Sequence, residues 1–311
     1  MQRLLNTIIL IAACAGFTSA IAQFGSKTEG SVVTTPQVRA ELLSHAPQGV
    51  APGQTVLLGL QLAHQPEWHT YWKNSGDSGL PTELQWTLPA GVAAGDVQWP
   101  IPKKIPIGNL ANYGYEGTVL LPVPLTVSPD FKPGFLGGDM EVKLRAAWLV
   151  CKQECIPEEG EFTLKVPVKS STAAHGAAFD AALAANPKPL AGAHSVGLAG
   201  NAIEVRVANL PEAWRGQTLE FFPETGGVIE TAAQWTQAWV GDTWTAQVPL
   251  SAQRSASPSV MPVVLVASTG AGGGAARQGL RAEAALQGTW PAVAGVAPLS
   301  PELQAALNQN A

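Results

Sequence analysis

The sequence predicts an all-β protein of two tandem β-sandwiches joined by a short helical linker, after a cleaved signal peptide. Three observations predict it. Charged residues make up only 13% of the 311 residues, while 32 Gly and 25 Pro are scattered throughout, which suits short strands joined by turns better than long amphipathic helices. Short runs alternating apolar and polar residues recur in two stretches, each run bounded by Pro, Gly, Asp or Asn. Between the stretches lies one segment with helical signals. At 46% hydrophobic residues the chain has ample material for packed cores, and its length allows about two domains.

Residues 1–22 carry a basic Arg3, an apolar run broken at Asn6 and the small-x-small triplet Ala20-Ile21-Ala22. That is the pattern of a secretory signal peptide, cleaved near Gln23. The uninterrupted apolar stretch is shorter than the ~20 residues that cross a bilayer. The alternative is a lipoprotein box, since "IAAC" ends at Cys14, where a lipid would then be attached.

Within 35–168 the runs are "QTVLLGLQLAH", "TELQWTLP", "TVLLPVPLTV", "MEVKLRAAWLV" and "GEFTLKVPV". Strands that bury one face against a second sheet produce this spacing, as in a sandwich of immunoglobulin type. Residues 169–193 hold "SSTAAHGAAFDAALAANPKPL", with a Ser/Thr start, Ala-rich content and a stop at Pro187, which predicts a helical linker. The strand pattern resumes over 194–287 with "NAIEVRVANL", "QTLEFFPE", "DTWTAQVPL" and "MPVVLVAS", predicting a second immunoglobulin-like sandwich. "TGAGGGAA" within it reads as a flexible hairpin tip, because no helix signal follows in a βαβ frame. Residues 288–311 are Ala/Pro-rich and read as a linker or tail. The ten tryptophans are assigned to the cores rather than to carbohydrate stacking.

A net charge of -5 argues against nucleic acid or an anionic membrane surface as a partner. No later segment has the length and apolarity of a membrane helix, so a soluble, monomeric chain is expected after export. Nucleophile elbows, phosphate loops and metalloprotease helices are missing.

Removing the leader takes Cys14 away and leaves Cys151 and Cys155, in "AWLVCKQECIPEEG", in an oxidising compartment where thiol pairs tend to become disulfides. On one extended strand their Cα atoms would lie ~13 Å apart, whereas a disulfide needs less than ~7 Å. The chain must turn between them. Strand-like sequence on both sides predicts a hairpin whose ends are joined by Lys152-Gln153-Glu154 at one rim of the sandwich. As a staple this closure is worth ~2 kcal/mol in the loop-entropy model, against ~4 to 5 for a loop of about a hundred residues. A short pair at a rim is also open to thiolate attack, so exchange is favoured over a passive staple. Lys152 would favour a thiolate, and Glu154, Glu158 and Glu159 would oppose one. Metal binding by the reduced pair with His64, His69 or His175 is the rival chemistry, without regular ligand spacing to support it.

"WHTYWKNSGDSGLPTELQW", "GNLANYGYEGTVLLPVPL" and "AAWLVCKQECIPEEGEFTLKVPV", in that order after a signal peptide, resemble the periplasmic N-terminal region of DsbD/ScsB-type thiol:disulfide interchange proteins. The likeness is detailed over roughly 35–170. It implies a periplasmic protein-disulfide reductase component with no cofactor beyond a redox-active Cys151–Cys155 pair. Such a component takes reducing equivalents from a membrane-embedded electron-transfer domain and passes them to thioredoxin-like periplasmic proteins. Cys155 resembles the cysteine that forms the mixed disulfide. "NLANYGYEG" occupies the place of a loop that shields the disulfide, making Tyr113, Tyr115 and Asn112 candidate cap residues, although the family's shielding Phe is not matched. The three-residue spacing is closer to the ScsB-like branch, associated with copper tolerance, than to the DsbD branch linked to cytochrome c biogenesis. Two other functions stand beside this one: a non-enzymatic binding module with a structural disulfide, and Cu(I) handling by the reduced pair.

Overall fold

The computed structural model describes residues 30–133, 138–268 and 277–292. The expected signal peptide with Cys14, the Gly-rich tip and most of the tail lie outside these residues. Among the described residues nearly all regular structure is β, with one α-helix, Gly176–Ala184.

The first half forms two antiparallel sheets. One holds, in order, Val32–Thr34, Val38–His45, Val56–His64, Thr118–Val127 and Val92–Ala94. The other holds Cys155–Val166, Met140–Cys151, His69–Gly76, Leu110–Glu116 and Lys103–Ile107, with Glu83–Thr87 also paired to Met140–Cys151. Leu58, Leu60 and Leu121 of the first sheet meet Trp72, Leu144 and Trp148 of the second in one core. Along Met140–Cys151 the even residues Met140 to Val150 face that core, while Glu141, Lys143 and Arg145 face out. The helix packs on the outer side of the first sheet. Phe179 is buried with Leu43, Leu57 and Leu120, and Gly59 admits it, since a Cβ there would lie 3.1 Å from the ring.

The second half departs from expectation. In place of two sheets, the described residues form one eight-stranded sheet running Glu220–Pro223, Val260–Ser268, Arg277–Gln287, His194–Ala199, Ala202–Val207, Thr243–Pro249 and Thr236–Val240, with Lys188–Pro189 added parallel to Arg277–Gln287. The sheet curls over its own core. Phe221 and Trp244 sit five strand spacings apart along it, which would be about 24 Å in a flat sheet, yet their rings lie 6.0 Å apart. Alternation in sequence reports only that one face of each strand is buried, and a curled sheet satisfies it as well as two sheets do.

The halves share buried surface. Phe222, Val264 and Val266 of the second join the first core, and the Phe222 ring lies 5.1 Å from Tyr113 and 6.3 Å from Trp72. All ten tryptophans are buried in, or packed against, one of the two large cores.

Candidate functional site

The hairpin of Met140–Cys151 and Cys155–Val166 pairs without interruption and ends with Cys151 directly opposite Cys155. The three residues between them close the loop, the Cα atoms stand 4.2 Å apart and the sulfurs are bonded. The chain turns where the disulfide argument required it.

Parity decides which way the sulfurs point. Cys151 is an odd-numbered residue of a strand whose even residues face the core, so its side chain lies on the outer face. The register places Cys155, Cys151, His69 and Glu116 in one row across four strands of that face. An outer-face residue at a sheet rim is normally exposed. Cys155 is, but Cys151 is only 3% exposed.

Tyr71 covers it. This residue lies two positions after His69, on the same outer face, and its hydroxyl donates to Cys151 Sγ at 2.8 Å while standing 3.5 Å from Cys155 Sγ. Asn112 Nδ2 donates to the same hydroxyl at 3.4 Å, and Ser78 Oγ donates to Asn112 Oδ1 at 2.9 Å. Gly79, at φ +88°, lies against the other side of the ring, where a Cβ would come within 2.1 Å of Cζ. Only glycine fits there. Burial pushes the Tyr71 phenol above its usual range, so it is a neutral O–H donor at neutral pH, with the Ser78 contact opposing the shift.

The charges around the pair are weak. Lys152 is ion-paired to Glu67, which is itself exposed, so its field at the sulfurs is largely screened. His69 is buried with no partner for Nε2 among the described residues, and its ring meets Tyr71 edge-on at 5.2 Å. Burial lowers its pKa, with Glu116 opposing. The imidazole is therefore neutral beside the disulfide.

The structure brings Asn112 to the site and packs the other two cap candidates elsewhere. Tyr113 is 2% exposed, edge-on to Trp72 and Phe222. The Tyr115 hydroxyl donates to the Pro100 carbonyl at 2.7 Å from inside the first core. Sequence reasoning missed Tyr71 and the Ser78-Gly79 turn. The available signal was "HTY", which in an alternating strand sets His69 and Tyr71 on one face.

Of the metal candidates, His64 hydrogen-bonds Gly117 O and Thr70 Oγ1, and His175 is the N-cap of the helix. Among the described residues there is no group of three or more His, Cys, Asp or Glu placed to hold a metal ion, and no helix long and apolar enough to cross a membrane.

Residues 39–167 match the family model described as thiol:disulfide interchange protein DsbD, N-terminal. The fold is similar to the crystal structure of the N-terminal periplasmic domain of ScsB from Proteus mirabilis, with a TM-score of 0.58 and 15% identity over 85% of this chain and 100% of that one. At that identity the likeness is one of fold. No curated protein matches the chain by sequence.

Proposed function

We propose, from the match of residues 39–167 to the DsbD N-terminal family model, that the chain is a periplasmic electron relay whose Cys151–Cys155 pair cycles between disulfide and dithiol. It receives reducing equivalents from a membrane-embedded domain and hands them to thioredoxin-like proteins. In this reading residues 1–22 are the export signal, 35–168 the redox domain, 169–193 the linker and 194–287 a second domain, working as a monomer.

The observation that carries the proposal is the asymmetry of the two sulfurs, one exposed and one buried under a hydroxyl donor. A donor thiolate reaches Cys155 Sγ, forms a mixed disulfide there and drives the S–S electron pair onto Cys151 Sγ. Tyr71 is placed to stabilise that leaving thiolate by a charge-assisted hydrogen bond. A second donor thiolate then releases the Cys151, Cys155 dithiol, so two electrons and two protons have entered. In the outward step the Cys155 thiolate attacks the partner's disulfide and Cys151 resolves the mixed disulfide, returning the pair to its oxidised form. Neither step needs a cofactor.

The test is trapping with a thioredoxin-like disulfide protein. Reduced Cys151→Ala is expected to accumulate the mixed disulfide through Cys155, whereas Cys155→Ala forms little of it, and both lose turnover while keeping the β-rich circular dichroism of the parent. A pair that resists reduction down to about -300 mV, or single mutants that lose the fold, would make the bridge a staple.

A further inference from the structure

We propose that the second half of the chain sets the reactivity of the cysteine pair through Asp77, a positioning residue that holds the turn 76–79 against Tyr71. The inference rests on the exchange reading above.

The Asp77 carboxylate accepts three backbone N–H groups. Thr231 donates to Oδ1 at 3.0 Å and Ala232 to Oδ2 at 3.1 Å, both from the second half, and Ala111 of the first half donates to Oδ2 at 2.9 Å. Asp77 returns its own N–H to the Ala111 carbonyl at 3.0 Å. One side chain thus pins the turn to both halves at once. The next two residues carry the constraint to the sulfur. Ser78 holds Asn112 against the Tyr71 hydroxyl, and Gly79 backs the Tyr71 ring, with its carbonyl held by Ser75 Oγ at 2.9 Å.

Asn74 is a second tie to the turn, its Nδ2 donating to the Pro223 carbonyl at 2.7 Å and its Oδ1 accepting from Gly76 N–H at 3.0 Å. Lys73 pairs with Glu224 at 3.2 Å without touching the turn, which makes it a control for loosening the interface in general.

The chemical consequence has a sign. With glutathione the balance is protein disulfide plus two glutathione thiols giving protein dithiol plus glutathione disulfide, two electrons passing to the protein. A Cys151 sulfur freed of its S–S bond, above all as a thiolate, accepts a stronger hydrogen bond from Tyr71 than a disulfide sulfur does, so a held hydroxyl favours the reduced form. Releasing the turn removes part of that preference.

The experiment measures the equilibrium constant with glutathione for the full chain, the reduced fraction being read by alkylation and mass. Asp77→Ala and Tyr71→Phe are each expected to lower the constant roughly threefold to tenfold, the scale of one ordinary hydrogen bond. The double variant falls no further than Tyr71→Phe, and Lys73→Ala leaves the constant where it was. A stability loss shared by both redox states does not move the constant, so a purely structural Asp77 gives no shift. Asp77→Asn, which keeps one acceptor oxygen, carries the same test with a smaller shift should the alanine variant not fold. An unchanged constant for both Asp77 variants overturns the proposal, as does the same further drop in the Tyr71→Phe background. If the unmodified pair never equilibrates with glutathione, the exchange reading itself fails, and this inference with it.

Discussion

Each half of the molecule is built around a long antiparallel hairpin, Met140–Cys151 with Cys155–Val166 in the first and Val260–Ser268 with Arg277–Gln287 in the second. The two use their outer faces differently. In the first hairpin the outward residues of Met140–Cys151 run from the charged Glu141, Lys143 and Arg145 through Ala147 and Leu149 to the rim, where Cys151 faces Cys155. In the second, Val263, Leu265 and Ala267 face the hairpin's own core while Val264 and Val266 enter the core of the other half. A strand buried on both faces reads as a continuous apolar run, and "VVLVA" does. The same scaffold therefore serves chemistry where its outer face reaches solvent and docking where it does not.

Putting a charge on the docking face attacks the comparison hardest. Val264→Asp buries an unpaired carboxylate between the halves, and a loss of about 3 kcal/mol or more is expected in urea unfolding. A change within about 0.5 kcal/mol would mean that the face is not buried. The chemical face is tested by Tyr71→Phe, which removes only the hydroxyl on Cys151 Sγ. Reduction by glutathione is expected to slow about tenfold, with stability changed by less than about 1 kcal/mol.

The smallest effect is a pH dependence confined to the first half. His64 and His69 are both held below the ordinary 6.5, in each case mainly by burial. The unfolded chain binds these protons more readily, so their contribution is complete above about 6.5 and is lost as pH falls through the lowered folded values. Unfolding free energy should decline on acidification through that window. His69→Gln should flatten the decline, and a slope that does not change would remove His69 as its source.

Much of this was legible along the chain. The alternation in "MEVKLRAAWLV" and "GEFTLKV" marks the hairpin, and three residues between cysteines require a turn, because strand rise and disulfide reach are local quantities. The helix over Gly176–Ala184 follows from its Ala-rich run and the Pro beyond it. Tyr71 and Asp77 were not legible. Tyr71 meets its sulfur across 80 residues of sequence, and Asp77 meets the Thr231 amide across 154. Tyr113 and Tyr115 drew attention because their segment occupies the place of a shielding loop in the family it resembles, but they lie in the strand Leu110–Glu116 and face the first core, where Phe222 of the second half packs on Tyr113.

Periodicity and turn chemistry, which act between neighbours in the chain, determined that this protein is β-rich and that two cysteines would meet at the end of one hairpin. Only tertiary packing decided that the second half is a single curled sheet, that a tyrosine from a different strand caps one sulfur, and that an aspartate ties that cap to the far half. Those outcomes depend on register and on contacts between segments distant in sequence, which no local pattern encodes.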